Sequence, residues 1–153
     1  MPTALLIIDV QQALCSGEHT TFDAAGTIAR INQVSAQARA AGALVVLIQH
    51  ETATGPFAHG STGWALAQGL TVQPSDVRVR KTTPDSFQGT ELPALLQRHG
   101  VDRLVVCGMQ SDFCVDNAVL SAAQISAHHN ATLANISSFG PRVTLSPAVD
   151  VKV

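Results

Sequence analysis

The chain has little charge. Asp, Glu, Lys and Arg make up only 13% of its 153 residues, and the formal net charge is −2. So little positive charge leaves no electrostatic footprint for nucleic acid, and no nucleic-acid partner is expected. Long apolar runs are lacking too. Nothing approaches the roughly 20 residues that a membrane-spanning helix requires, so no membrane partner is expected either. The N-terminal residues carry neither the basic region nor the cleavage pattern of a secretory signal. Cysteine occurs only three times, an odd number at no framework spacing. That excludes a disulfide scaffold and fits a reducing, cytoplasmic setting. No repeat or linker interrupts the chain, so residues 1–153 are read as a single domain able to fold without staples.

Apolar residues, by contrast, reach 46%. That is high for a small soluble monomer, and self-association is the usual way to hide such surface. A homo-oligomer, dimer or tetramer, is expected.

The apolar residues come in short runs. Ala4-Leu5-Leu6-Ile7-Ile8 is continuous, as in a strand covered on both faces, and ends at the carboxylate of Asp9. A polar stretch follows from Gln11 to Thr21, and Phe22-Asp23 to Ala40 then has apolar residues at helical spacing, stopped by Gly42. Ala43 to Ile48 reads as a second buried strand, giving the strand, helix, strand unit of a parallel sheet. Residues 52–74 are rich in Gly, Ser and Thr and too long for an ordinary connection, so they are read as a loop that shapes a pocket. Val77 to Lys81 is a short strand ending in a lysine before the turn signal Thr82-Thr83-Pro84-Asp85. Glu91 to His99 reads as a short helix, and Leu104-Val105-Val106-Cys107 as the strand that leads to Cys114.

Asp9, Lys81 and Cys114 thus each follow the downstream end of a strand. In an open parallel sheet those ends converge on the crevice where ligands bind. Cys114 lies where a strand gives way to a helix, and the positive end of a helix dipole favours thiolate, the nucleophilic form. Such a thiol should be alkylated by iodoacetamide well below the usual thiol pKa of roughly 8.5.

Three motifs, LLIIDVQ, VRKTTPDSF and VVCGMQSDFCVD, occur in an order that resembles the isochorismatase-like cysteine hydrolases, which include nicotinamidases and carbamoylsarcosine amidase. The resemblance runs from Ala4 to about Asp116. It implies a three-layer α-β-α fold with a mostly parallel, Rossmann-like sheet. It also implies that Asp9 is the general base, Lys81 its cationic partner and Cys114 the nucleophile. A cis peptide is implied at Met109-Gln110, with the backbone amides of Gln110 and Cys114 as oxyanion donors. After Cys114 the agreement falters, because one helix and one strand of the family pattern are missing. One stretch, Val115 to about Ile136, precedes Arg142 to Leu145, so Cys114 is expected to begin a single long helix reaching roughly Asn130, with about five strands where the family has six. Either the protein is naturally shortened, or residues near Asp116-Asn117 have been omitted and would betray themselves as a chain break between Val115 and Ala123.

Gln11, His50, Trp64 and Phe87 are expected as pocket walls from their positions near the motifs. Some nicotinamidases bind a divalent metal through an Asp and two His residues after the second strand, where His50 and His59 fall here. The Asp and the tight spacing are absent, so neither metal nor cofactor is expected. The adjacent pair His128-His129 cannot share one helix face and is read as packing or interface. Cys15 and Cys107 are read as small buried hydrophobes.

The expected activity is hydrolysis of a C–N bond in a small molecule through a thioester. Two alternatives remain: vinyl-ether hydrolysis, against which the cysteine argues, and a shortened inactive homologue acting as an oligomeric binding protein.

Overall fold

A computed structural model describes residues 2–18, 20–110, 114–115, 117–119, 121–122 and 150–151. Within them the elements run β1 (Thr3–Ile8), α1 (Gln12–Cys15), α2 (Ala24–Ala40), β2 (Leu44–His50), β3 (Val77–Lys81), α3 (Leu92–Arg98) and β4 (Arg103–Gly108). The strands form one parallel sheet in the order β3-β2-β1-β4. The helix expected beyond Val115, the strand expected at residues 142–145, the pair His128-His129 and the test for a chain break all fall wholly or partly outside the described residues.

The apolar run of β1 is explained by its central place, since every residue of it is buried. Alternate side chains serve different layers. Ala4, Leu6 and Ile8 join Val46, Ile48 and Val79 in a core closed by Leu92, Leu95 and Leu96 of α3. Leu5 and Ile7 join Val45 and Leu47 in a second core closed by Ile28, Ile31, Val34 and Ala38 of α2. Each Val, Leu or Ile among them contributes about 1.5–3 kcal/mol on full burial, so both layers are held firmly to the sheet. This is the expected three-layer arrangement.

Helix α2 starts where Asp23, its N-cap, accepts a hydrogen bond from the Gly26 amide at 3.3 Å. Near its other end Arg39 grips Asp76 through Nη2 at 2.7 Å and Nε at 3.0 Å. That bidentate contact ties the helix to the segment ahead of β3 and so fixes where β3 begins.

β4 meets β1 unusually closely at its downstream end. Gly108 has φ +140, and a Cβ there would overlap the Ile8 carbonyl oxygen. The absence of a side chain lets the Met109 amide reach that oxygen at 2.8 Å.

Candidate active site

The strand order brings the downstream ends of β3, β2, β1 and β4 side by side. Asp9, immediately after β1, is left-handed with φ 53, a conformation that Asp tolerates better than most residues. Its carboxylate is buried, and Oδ2 lies 2.9 Å from Lys81 Nζ. Lys81, the last residue of β3, is itself only 2% exposed. Nζ lies 3.5 Å from Cys114 Sγ, 3.4 Å from His50 Nδ1 and 3.2 Å from the Thr83 carbonyl oxygen. The three residues read from the strand ends are therefore in one cluster.

Two further features suit chemistry at this point. Asp9 Oδ1 is buried and has no donor among the described residues, which leaves an acceptor to spare beside the ion pair. The Met109–Gln110 peptide is cis, as the resemblance implied. Met109 is held from α1 and the loop after it, by Cys15 Sγ and Thr21 Oγ1, each 3.6 Å from its sulfur.

The thiol itself departs from expectation. Burial pushes Cys114 up to about 11, helped by the Asp9 carboxylate, which draws the thiol proton to itself and repels a sulfur anion. Lys81 pulls the other way and loses. The anticipated low-pKa thiolate is thus replaced by a resting thiol, because desolvation and a neighbouring carboxylate outweigh the cation. At pH 8 only about one molecule in a thousand would then carry the thiolate. Iodoacetamide should accordingly modify Cys114 slowly at pH 8, with a rate that climbs towards pH 11, as mass spectrometry across a pH series would show. A plateau by pH 8 would contradict this assignment.

The expected pocket walls divide. Trp64 lines a cleft of about 380 Å³ with Gln49, Arg78, Lys81, Thr82 and Thr90, and its indole Nε1 is buried without a hydrogen-bond partner among the described residues. His50 turns to Lys81 and stacks edge-on against Phe57, with centroids 5.8 Å apart. Gln11 is corrected from pocket wall to strut. It is fully buried, and its Nε2 donates to the carbonyls of His50 and Trp64, both at 2.9 Å, while its Oε1 accepts from the His50 amide at 2.9 Å. Phe87 is likewise corrected, because it is buried in the core beside Leu92. The Thr83 carbonyl was not anticipated, since a main-chain acceptor leaves no side-chain signature in sequence.

His59 is exposed and meets Trp64 edge-on at 4.6 Å. Among the described residues no group of three or more His, Cys, Asp or Glu side chains is placed to hold a metal ion. No helix among them is long and apolar enough to cross a membrane.

A parallel sheet thus gathers an acid, a lysine and a cysteine beyond the downstream ends of its strands, and comparison with known proteins shows which family shares the fold. The isochorismatase domain matches residues 3–126, and the chain belongs to that family. It is similar to a streptothricin hydrolase of Streptomyces noursei, 41% identical over 123 residues that make up 80% of this chain and 45% of that enzyme. The chain thus spans less than half of that relative's length. It is 30% identical, over an alignment 190 positions long with gaps, to a ureidoacrylate amidohydrolase of Methylobacterium radiotolerans, covering 90% of this chain and 74% of the relative. Among solved structures, a crystal structure of an isochorismatase family protein superposes with a TM-score of 0.75 at 32% identity, over 80% of this chain and 73% of that one.

Proposed function

We propose that the protein is a cysteine-dependent amidase that hydrolyses a C–N bond in a small molecule through a thioester. The observation that carries this reading is Lys81 Nζ held between Asp9 Oδ2 at 2.9 Å and Cys114 Sγ at 3.5 Å in a buried site. The relatives add support, one of them being by name an amidohydrolase.

The chemistry follows from the resting thiol. Because Cys114 is protonated at neutral pH, attack requires a base at the moment of bond formation, and Asp9 beside it takes the proton as sulfur bonds to the substrate carbonyl carbon. Lys81 then balances the carboxylate and sulfur charges in turn. The tetrahedral oxyanion is taken up by the backbone amides of Gln110 and Cys114. Collapse breaks the C–N bond, and the leaving amine takes the proton back from Asp9. Water then attacks the thioester with Asp9 again as base, releasing the acid and restoring the thiol. A sulfur nucleophile so close to its cation supports this route over vinyl-ether hydrolysis, which has no need of it.

A panel of small amides with ammonia detection tests the reading, together with mass spectrometry of the quenched enzyme. An acyl adduct on Cys114 is the expected result. Turnover with no such adduct, undiminished by loss of the thiol, would overturn the thioester route.

Cys107 provides the internal control. Burial pushes its thiol up to about 12, and it packs on the α2 side of the sheet. Cys107→Ala should lower stability by about 1 kcal/mol, read as a Tm shift of a few degrees, with amide turnover retained.

A homo-oligomer in a reducing, cytoplasmic setting completes the proposal. It is supported by β4, whose apolar Leu104, Val105 and Val106 are only half-buried while β1 is fully covered, and by three free cysteines. Light scattering on the purified protein measures the assembly directly.

A further inference from the structure

Lys81 has more neighbours than protons. An ammonium carries three donors and no acceptor, yet Nζ faces four acceptor atoms. Asp9 Oδ2 at 2.9 Å and the Thr83 carbonyl at 3.2 Å hold two of the protons. The third lies between His50 Nδ1 at 3.4 Å and Cys114 Sγ at 3.5 Å. We propose that His50 is a positioning residue that holds this third Lys81 proton while Cys114 is a thiol and yields it when sulfur becomes an anion. The inference rests on the amidase reading for its purpose but not for its measurement.

The geometry around His50 suits the role. Its amide and its carbonyl are both pinned by Gln11, and its ring rests edge-on against Phe57, so the imidazole is fixed relative to β3. Nδ1 can accept from Lys81 only in the neutral ring with its proton on Nε2. The groups that face the ring are Lys81, Asp9, Glu51 and the Thr83 carbonyl, and Glu51 is already paired with Arg80 at 2.6 Å. Desolvation first, and then Lys81, hold His50 below its ordinary value against the opposing pull of Asp9 and of a ring hydrogen bond to the Thr83 carbonyl, so the neutral ring prevails at neutral pH, and with its proton on Nε2 that ring is the accepting form. A neutral thiol is a weak acceptor and an imidazole nitrogen a good one, so in the resting state the proton belongs to His50. Once a thiolate forms, its charge makes sulfur the better acceptor, and the proton swings across without any backbone movement.

An unusual result follows. Removing the His50 acceptor should make Cys114 more reactive, because Lys81 then has no alternative to sulfur. In His50→Leu, which keeps the site dry, the alkylation profile should move to lower pH by about one unit, an approximately tenfold faster reaction with iodoacetamide at pH 8. His50→Asn, whose Oδ1 can stand in for Nδ1, should restore the wild-type profile. Equal rates in His50→Leu and wild type would overturn the proposal, as would the same acceleration in both variants, which would point to packing alone. Long-range proton–nitrogen NMR of the wild-type protein gives a check that no substitution can spoil: the Nε2–H tautomer is expected at neutral pH, and an Nδ1–H tautomer would end the idea. Since neither readout involves substrate, failure to turn over any amide would sink the amidase reading and leave this result standing.

Discussion

Cys114→Ala should reduce amide turnover by a factor on the order of 10⁴ or more while leaving the fold and any oligomer intact. In the proposed route, loss of the covalent nucleophile removes the whole path, whereas the proposed oxyanion donors and the binding site would survive and account for what activity remains. The side chain is half-buried and only borders the α3-side core, so its removal should cost no more than about 1–2 kcal/mol of stability. Steady-state assay with ammonia detection and a thermal melt on the same preparation separate the two effects. If Cys114→Ala kept activity within tenfold of wild type and Cys107→Ala lost it, the nucleophile would be misassigned.

Lys81→Met should be the most damaging single change to stability near the site. The Lys81 and Asp9 side chains are 0% and 3% exposed, so among the described residues the ammonium is what balances a carboxylate removed from water. Breaking such a pair from one side typically costs about 3–5 kcal/mol, because the remaining charge is left buried and unpaired. Replacing both partners, Lys81→Met with Asp9→Asn, should recover much of that loss, since an amide needs no counter-charge. Activity should not recover with it, because neither the base nor the cation is present. Chemical denaturation of the three variants tests this. A double variant no more stable than Lys81→Met alone would show that the pair is held by packing rather than by mutual neutralisation.

The parts of this protein that could be read from its sequence are those fixed by periodicity and topology. β3 runs Val77–Lys81 as expected, and β1, β2 and β4 differ from expectation by a residue or two at their ends. The convergence of Asp9, Lys81 and Cys114 follows largely from parallel strands, because Lys81 ends β3 while Asp9 and Cys114 lie beyond the same ends of β1 and β4. What could not be read depends on side-chain direction and environment. Gln11 lies beside the motif, yet turns its amide to main-chain groups of β2 and the Trp64 loop. Phe87 belongs to a motif near the site and points into the core. Helix α1, Gln12–Cys15, is too short to establish an apolar period, so it read as a polar stretch. The thiol pKa went the opposite way because sequence reveals a helix terminus but neither the burial of the sulfur nor the carboxylate beside it.

The peptide group between Ile8 and Asp9 ties several of these parts together. Its carbonyl receives the Met109 amide at 2.8 Å and its N–H donates to the Ile48 carbonyl at 2.9 Å, so one rigid plane is bonded both to the Gln110 side of the site and to the strand that carries His50. Asp9, the Met109–Gln110 peptide and the strand carrying His50 therefore share a joint in the most deeply buried strand, and none can drift while the others stay. That half of the site has no melting point of its own. It cannot fray ahead of the sheet, and heat should displace Asp9 and His50 only by opening the centre of the molecule.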